Sequence, residues 1–316
     1  MSDNDPKAGG IGRRELLKCM AWAGSGVVWT LGSGVASSVL AGCAPAPLKP
    51  SGGLSFVQIS DTHIGFKKAA NPDPAATLRE TIAKIHALPV QPSFVLHTGD
   101  ITQLATPEQF DQAQALLSQI GLPVFYVPGE HDIVDGNNPR PYLSRFAGKD
   151  ARGDGWYSFD AGGVHFVALV NVVRLGDRGM GTLGAEQLAW LRDDLAGRSD
   201  STPIMVYSHF PLWALRPDWG WGTQDALEAM NLLRRFGSVT ALNGHIHQVQ
   251  QKIEGNVCFY AARSTAFPQP APGEGAGPGP LVVPAEQLRA TIGLRSVTLR
   301  GGDAPLALID TTLAQA

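Results

Sequence analysis

The chain has 316 residues, 44% of them hydrophobic and 17% charged, with a formal net charge of −3. That is enough apolar chain to bury one large core. It carries no basic stripe, so nucleic-acid binding has no electrostatic support, and neither an internal repeat nor a second domain is evident.

The first 42 residues read as an export segment that stays out of the fold. Gly12-Arg13-Arg14-Glu15-Leu16-Leu17-Lys18 resembles a twin-arginine signal, and a weakly apolar, Gly/Ala/Ser-rich stretch follows from Cys19 to Ala41. The stretch is long enough to span a bilayer, but its many Gly and Ser make it a weak membrane helix. Leu40-Ala41-Gly42-Cys43 resembles a lipobox, in which Cys43 becomes the lipidated first residue of the mature protein. Residues 43–53, with Pro45, Pro47, Pro50 and Gly52-Gly53, then read as a tether. The expected partners are the twin-arginine translocation machinery and a membrane. The expected location is the periplasm, lipid-anchored to the cell envelope. Each buried acyl methylene contributes about 0.8 kcal/mol to that anchor. Residues 1–42 hold four Lys/Arg and three Asp/Glu, so the remaining 274 residues hold 21 basic and 25 acidic side chains, a charge of −4. Of three cysteines only Cys258 stays in the mature domain, so no disulfide forms within it. Val257-Cys258-Phe259-Tyr260 reads as a buried strand.

Residues 54–316 alternate strand and helix. The apolar run Leu54 to Ile59 is a predicted strand, followed by Asp61-Thr62-His63. Leu78, Ile82 and Ile85 have helical spacing within 75–88. Phe94 to Leu96 is a strand ahead of Gly99-Asp100. Pro107 to Ile120 is a helix with Thr106 as N-cap and Pro107 at its first position. Val124 to Val127 leads into Gly129-Glu130-His131-Asp132. Trp156 to Asp160 and Val164 to Val170 flank Ala161-Gly162-Gly163, a hairpin signal. Ala185 to Ala196 is a third helix. Ile204 to Tyr207 precedes Ser208-His209. Asp225 to Phe236 is a fourth helix, closed by Gly237. Val239 to Leu242 precedes Gly244-His245-Ile246-His247, and strands recur from Val257 and at Arg295 to Leu299. Residues 267–284 are rich in Pro and Gly and read as a flexible loop, with a lid as the functional alternative. This alternation indicates a layered α/β fold.

Five short motifs ending in carboxylate or imidazole therefore each follow a strand, and five of the eight histidines lie in them. Ligands at strand ends can converge on one sheet edge. Carboxylate with imidazole and no thiolate suits Zn, Mn or Fe. The ordered set D-x-H, G-D, G-x-H-D, a lone His and G-H-x-H, spanning roughly residues 54–265, resembles the calcineurin-like metallophosphoesterase family. The resemblance implies a four-layer sandwich of two mixed β-sheets packed face to face with helices outside, and hydrolysis of a small phosphate ester, with a lean towards phosphodiesters. It implies two divalent or trivalent metal ions. Asp100 would bridge them, with Asp61, His63 and His247 completing one ion and residue 130, His209 and His245 the other. His131 would protonate the leaving oxygen, and Asp132 would orient His131.

The chain departs from the family at Glu130, where an Asn amide is usual. Glu can still ligate, but it adds a negative charge that binds a cation more strongly and repels an incoming phosphate. A non-catalytic metal-binding envelope protein is thus the alternative to a working enzyme. Trp213, Trp219 and Trp221 cluster after His209 and offer either a stacking surface for a planar substrate group or packing of a long loop. Gly65, Gly99, Gly129 and Gly244 lie beside ligands and read as shape. His97 reads as structural and His86 as a solvated helix residue.

Overall fold

The computed structural model describes residues 53–134, 138–299 and 307–314. The chain divides into Met1–Lys49 and Pro50–Ala316. The export segment, Cys43 and the tether up to Gly52 lie outside the described residues. Among the described residues no helix is long and apolar enough to cross a membrane.

The strands in chain order are β1 (Leu54–Ile59), β2 (Val95–His97), β3 (Val124–Tyr126), β4 (Tyr157–Ala161), β5 (Val164–Ala168), β6 (Ile204–Ser208), β7 (Val239–Asn243), β8 (Gln250–Glu254), β9 (Val257–Ala261), β10 (Gly293–Leu299) and β11 (Ala307–Thr312). They form two mixed sheets, ordered β11-β10-β1-β2-β3 and β4-β5-β6-β7-β9-β8. β1, β2 and β3 run parallel, as do β5, β6, β7 and β9, while the sheet edges are antiparallel.

The sheets pack face to face through Phe56, Phe94, Leu96 and Val297 on one side and Phe166, Met205, Tyr207 and Leu242 on the other. Phe166 sits edge-on to both Phe56 and Phe94, with centroids 5.5 and 5.4 Å apart. Each such buried ring contributes about 1.5–3 kcal/mol. The outer face of the first sheet is covered by helices Pro74–His86, Pro107–Leu117 and Arg140–Phe146, whose Leu78, Ile82, Phe110, Leu116 and Tyr142 join Val57 and Val95. The outer face of the second is covered by Ala185–Ala196 and Ala226–Leu233, through Leu188, Leu191, Met230 and Leu233. This is the expected sandwich of helices, sheet, sheet and helices.

Local chemistry explains most element ends. Thr106 Oγ1 accepts the Gln109 N–H at 3.3 Å, capping Pro107–Leu117 as expected. That helix is shorter than predicted: its last turn tightens into a 3-10 segment, Ser118–Ile120, and stops at left-handed Gly121. The hairpin between β4 and β5 turns on Gly162 and Gly163, with φ of 58° and 80°, the two-residue turn whose twist matches the strands. Asp225–Phe236 contracts to Ala226–Leu233. β8, β11 and the helices Arg140–Phe146 and Ala285–Thr291 were not expected from sequence. Cys258 lies on β9 but is half-buried, because Val257, Phe259 and Ala261 take the inward positions.

Candidate metal centre

The five motifs follow β1, β2, β3, β6 and β7, three parallel strands of one sheet and two of the other. Their loops meet where the carboxyl ends of both sheets come together. Beyond the strand ends the loops stay zipped by backbone hydrogen bonds: Asp61 N–H to Gly99 O at 2.9 Å, His63 N–H to Asp100 O at 2.9 Å and Gly244 N–H to His209 O at 3.1 Å.

All seven expected ligands converge. Asp61, His63, Asp100 and His247 form a first group of ligand atoms within 4.8 Å of one another; Glu130, His209 and His245 form a second. Asp100 Oδ2 lies between them, 3.5 Å from His63 Nε2 and 3.4 Å from His209 Nε2. Asp61 Oδ1 is 3.2 Å from His247 Nε2. Asp61, His63, Asp100, His245 and His247 all have positive φ, between 41° and 67°, and they are five of the seven such non-glycine residues described. Each costs on the order of 1–3 kcal/mol, offset by the surrounding fold. Gly129 answers a different need: a Cβ there would collide with the carboxylate and backbone nitrogen of Asp100.

Three imidazoles are oriented by carbonyl acceptors. His209 Nδ1–H donates to Thr98 O at 2.7 Å, His247 Nδ1–H to Phe267 O at 2.6 Å and His63 Nδ1–H to Gln103 Oε1 at 3.0 Å. Those bonds put the proton on Nδ1 and leave Nε2 facing the centre. Phe267 also packs its ring on His63 and His247, with centroids 4.7 and 4.8 Å away.

Glu130 points into the site. Its Oε2 is 2.7 Å from His209 Nε2 and its Oε1 is 3.0 Å from His245 Nδ1. Yet Glu130 Oε2 and His209 Nε2 are buried with no hydrogen-bond partner of acceptable geometry. Two buried acceptor atoms 2.7 Å apart, neither satisfied by a hydrogen bond, are what a bound cation would resolve, so the donor set fits a metal.

The electrostatics agree. Burial alone would raise the Asp61 and Glu130 carboxyls, but the neighbouring imidazoles hold both below the usual range. Asp100 is raised by burial and by Glu130, yet His209 and His131 hold it low. Burial pushes His63 down to about 3 against the pull of Asp100. For His209 burial works downward, but Asp100 and Glu130 together raise it well above an ordinary imidazole. Three ionised carboxylates thus draw a proton to a position where a metal would replace it.

His131 sits at the second group's edge. Its backbone N–H donates to Asp100 Oδ1 at 3.0 Å, and its Nδ1 lies 2.9 Å from Gln103 O and 3.1 Å from Gln103 Nε2. Asp132 does not orient His131. Its carboxylate accepts four other hydrogen bonds, from Ile101 N–H, Thr102 N–H, Thr102 Oγ1–H and Gly129 N–H, at 2.8–3.0 Å. Asp132 therefore clamps the Gly129 turn to the Asp100 loop, and Gln103 takes the orienting position. Sequence reasoning missed Gln103 because a neutral amide has no ligand signature; its one signal is its place three residues after Asp100.

The tryptophans are placed otherwise than a stacking surface requires. Trp213 and Trp221 are buried in the core between the second sheet and its helices, and Trp219 packs against that core. Trp213 meets Phe259 edge-on at 5.1 Å, and Trp219 meets Trp221 at 5.0 Å. The long loop after His209 buries its aromatic rings because three large apolar side chains must leave water. His97 is buried against Thr62 Oγ1, 3.2 Å away, and His86 is exposed at its helix end.

A four-layer α/β sandwich with two ligand groups sharing one carboxylate defines a dinuclear metallohydrolase. The chain belongs to the calcineurin-like phosphoesterase family, whose model matches residues 54–249. It is a metal-dependent phosphoesterase with a binuclear metal site. Among its relatives is a 3',5'-cyclic-nucleotide phosphodiesterase of Nostoc sp., 24% identical over 220 residues, covering 68% of this chain and 79% of the relative. Another is a probable glycerophosphodiester phosphodiesterase of Arcobacter nitrofigilis, 25% identical over 217 residues, covering 67% and 78%. In fold it is similar to a dimetal phosphatase from Danio rerio, with a TM-score of 0.62 at 16% identity, covering 83% of this chain and 97% of that one.

Proposed function

We propose that the protein hydrolyses a small phosphodiester with two metal ions, one held by Asp61, His63, Asp100 and His247 and the other by Asp100, Glu130, His209 and His245. The observation that carries this reading is the pair of ligand groups with Asp100 Oδ2 between them, 3.5 Å from His63 Nε2 and 3.4 Å from His209 Nε2. When bound, two metal ions neutralise the non-bridging phosphate oxygens and supply a nucleophile from water at neutral pH. His131 acts as general acid. Its Nδ1 is engaged by Gln103, so Nε2 is the nitrogen left for substrate. Burial alone would lower its affinity for a proton, but Asp100, Glu130 and the Gln103 carbonyl raise it. It can hold that proton near neutrality and pass it to the leaving oxygen as the phosphorus–oxygen bond breaks. Water adds to phosphorus, and a monoester and an alcohol leave.

The diester preference is supported by relatives named for cyclic-nucleotide and glycerophosphodiester hydrolysis. The proposal extends to location. Residues 12–18 and Leu40-Ala41-Gly42-Cys43 support twin-arginine export and a lipid anchor in the periplasm.

Purified protein loaded with Mn, Zn or Fe should turn over bis-(4-nitrophenyl) phosphate faster than 4-nitrophenyl phosphate. Bound metal without turnover of either ester would overturn the reading in favour of a non-catalytic metal-binding protein. Cys43→Ala should release the protein from membranes into the soluble periplasmic fraction, and Arg13→Lys with Arg14→Lys should block export. A Cys43→Ala protein still on membranes would sink the lipid-anchor part.

A further inference from the structure

We propose that Glu130 is a charge filter: it cuts the electrostatic advantage that doubly charged phosphomonoesters, including the enzyme's own product, would otherwise hold over a singly charged phosphodiester. The inference rests on the phosphodiesterase reading and adds a specificity-determining residue to it.

The argument starts from the carboxylates at the centre. Asp61, Asp100 and Glu130 all lie in the ligand groups, and a carboxylate holds a metal ion in its deprotonated form. Three carboxylates against two divalent ions leave one net positive charge. A neutral amide at position 130 would leave two. A phosphodiester carries one negative charge. A phosphomonoester carries close to two at neutral pH, since its second ionisation lies near pH 6. The diester therefore matches the charge of this centre, and the monoester exceeds it.

Position makes the charge effective. The carboxylate of Glu130 belongs to two clusters at once, with His209 and His245 on one side and with Asp100 and His131 on the other. It is thus beside both the second ion's ligands and the general acid, where the phosphate must lie. Its side chain is 25% exposed, against 2% for Asp100, so it is the carboxylate at the mouth of the site. Nothing neutralises it locally except imidazoles: among the described residues it has no Lys or Arg partner.

The same feature sets the fate of the product. When the leaving alcohol departs, the phosphate left behind loses a proton and gains a second charge. The extra attraction which that second charge brings is about half what a doubly positive centre would give, which limits retention of the product.

The test is a binding comparison that needs no turnover. Metal-loaded wild type, Glu130→Gln and Glu130→Asn are titrated by calorimetry with two non-consumed probes of different charge, inorganic phosphate near pH 8 and dimethyl phosphate. Metal content is measured by elemental analysis, with free metal in excess so that all three proteins carry two ions per chain. Removing one charge near 4 Å from the phosphate should tighten inorganic phosphate by about tenfold or more. Dimethyl phosphate, with half the charge, should tighten by about threefold. Equal changes for both probes, or none, would overturn the filter. So would a wild type that binds inorganic phosphate about a hundredfold or more tighter than dimethyl phosphate, the gap of a doubly positive centre, a result that holds even if neither variant folds. Failure of the diesterase reading would show separately, as absent diester turnover in the wild type.

Discussion

The two halves of the metal centre are built differently. In the first group all four residues are buried and all four have left-handed backbone. In the second, Glu130 and His245 are partly exposed, and only His245 shares that backbone. The first group's geometry is held by strained turns locked into the sheet edge, so its ligand positions are set before any ion arrives. The second depends more on side-chain reach, and it faces solvent. One half is a fixed socket; the other is the half that can exchange and meet substrate.

Breaking the residue common to both halves should have the largest effect. Asp100→Asn cannot offset two cations, and both ions should be lost, with turnover down by about a thousandfold or more. Elemental analysis and diester turnover read this together; two ions retained would mean Asp100 is not shared. Next is Gln103, whose side-chain Oε1 holds His63 in the first half and whose backbone carbonyl holds His131 beside the second. Gln103→Leu should cost about 10- to 100-fold in metal affinity and turnover. The backbone carbonyl of Gln103 stays in place, so the alkaline limb of the pH–rate profile that reports His131 should hold. A shifted limb would mean that the side-chain amide, 3.1 Å from His131 Nδ1, also holds the general acid.

A chelator sharpens the contrast at a smaller scale. Loss of metal to excess EDTA should be biphasic, with the ion of the second group leaving about tenfold faster because Glu130 and His245 are partly exposed. A single phase releasing both ions would erase the distinction. The smallest effect lies far from the centre. Buried His165 sits between Asp194, 2.7 Å from its Nε2, and Asp160, 2.9 Å from its Nδ1. Burial raises the Asp194 carboxyl, but bonds from His165 and Ser158 hold it below its usual value. A carboxyl depressed in the fold stabilises it above the unfolded pKa near 4, and that contribution is lost as pH falls. Asp194→Asn should cost about 1–2 kcal/mol at pH 7 by urea unfolding, less at pH 3, and leave diester turnover unchanged.

Sequence alone carried the centre further than the periphery. Carboxylate and imidazole types at the ends of apolar runs marked the five motifs, because a parallel strand's carboxyl end is where a loop can present them, and the family resemblance picked out of them the seven side chains that converge. Thr106 and the two glycines of the hairpin were legible because a cap and a tight turn each have one chemical cause. β8 was not, since Gln250–Glu254 is an edge strand exposed along most of its length and shows no apolar alternation. The direction of a side chain was equally hidden. Asp132 stands next to His131 in sequence but turns to backbone N–H groups of its own turn and of the Asp100 loop, and Trp213 and Trp221 turn into the core with Trp219 packed against it.

Phe267 joins the metal centre to the long Pro- and Gly-rich segment after it. Its carbonyl and ring hold His247 and His63, and two residues on Gln269 Nε2–H donates to His245 O at 2.9 Å. Residues 273–276, farther along, are exposed. The segment is therefore a cable with one end soldered to the active site and its middle open to solvent. Added length there costs little, since loop entropy grows only logarithmically. A fluorophore or short peptide grafted near Gly275 would become an optical gauge of metal occupancy, wired to the centre through two residues and placed where an instrument can see it.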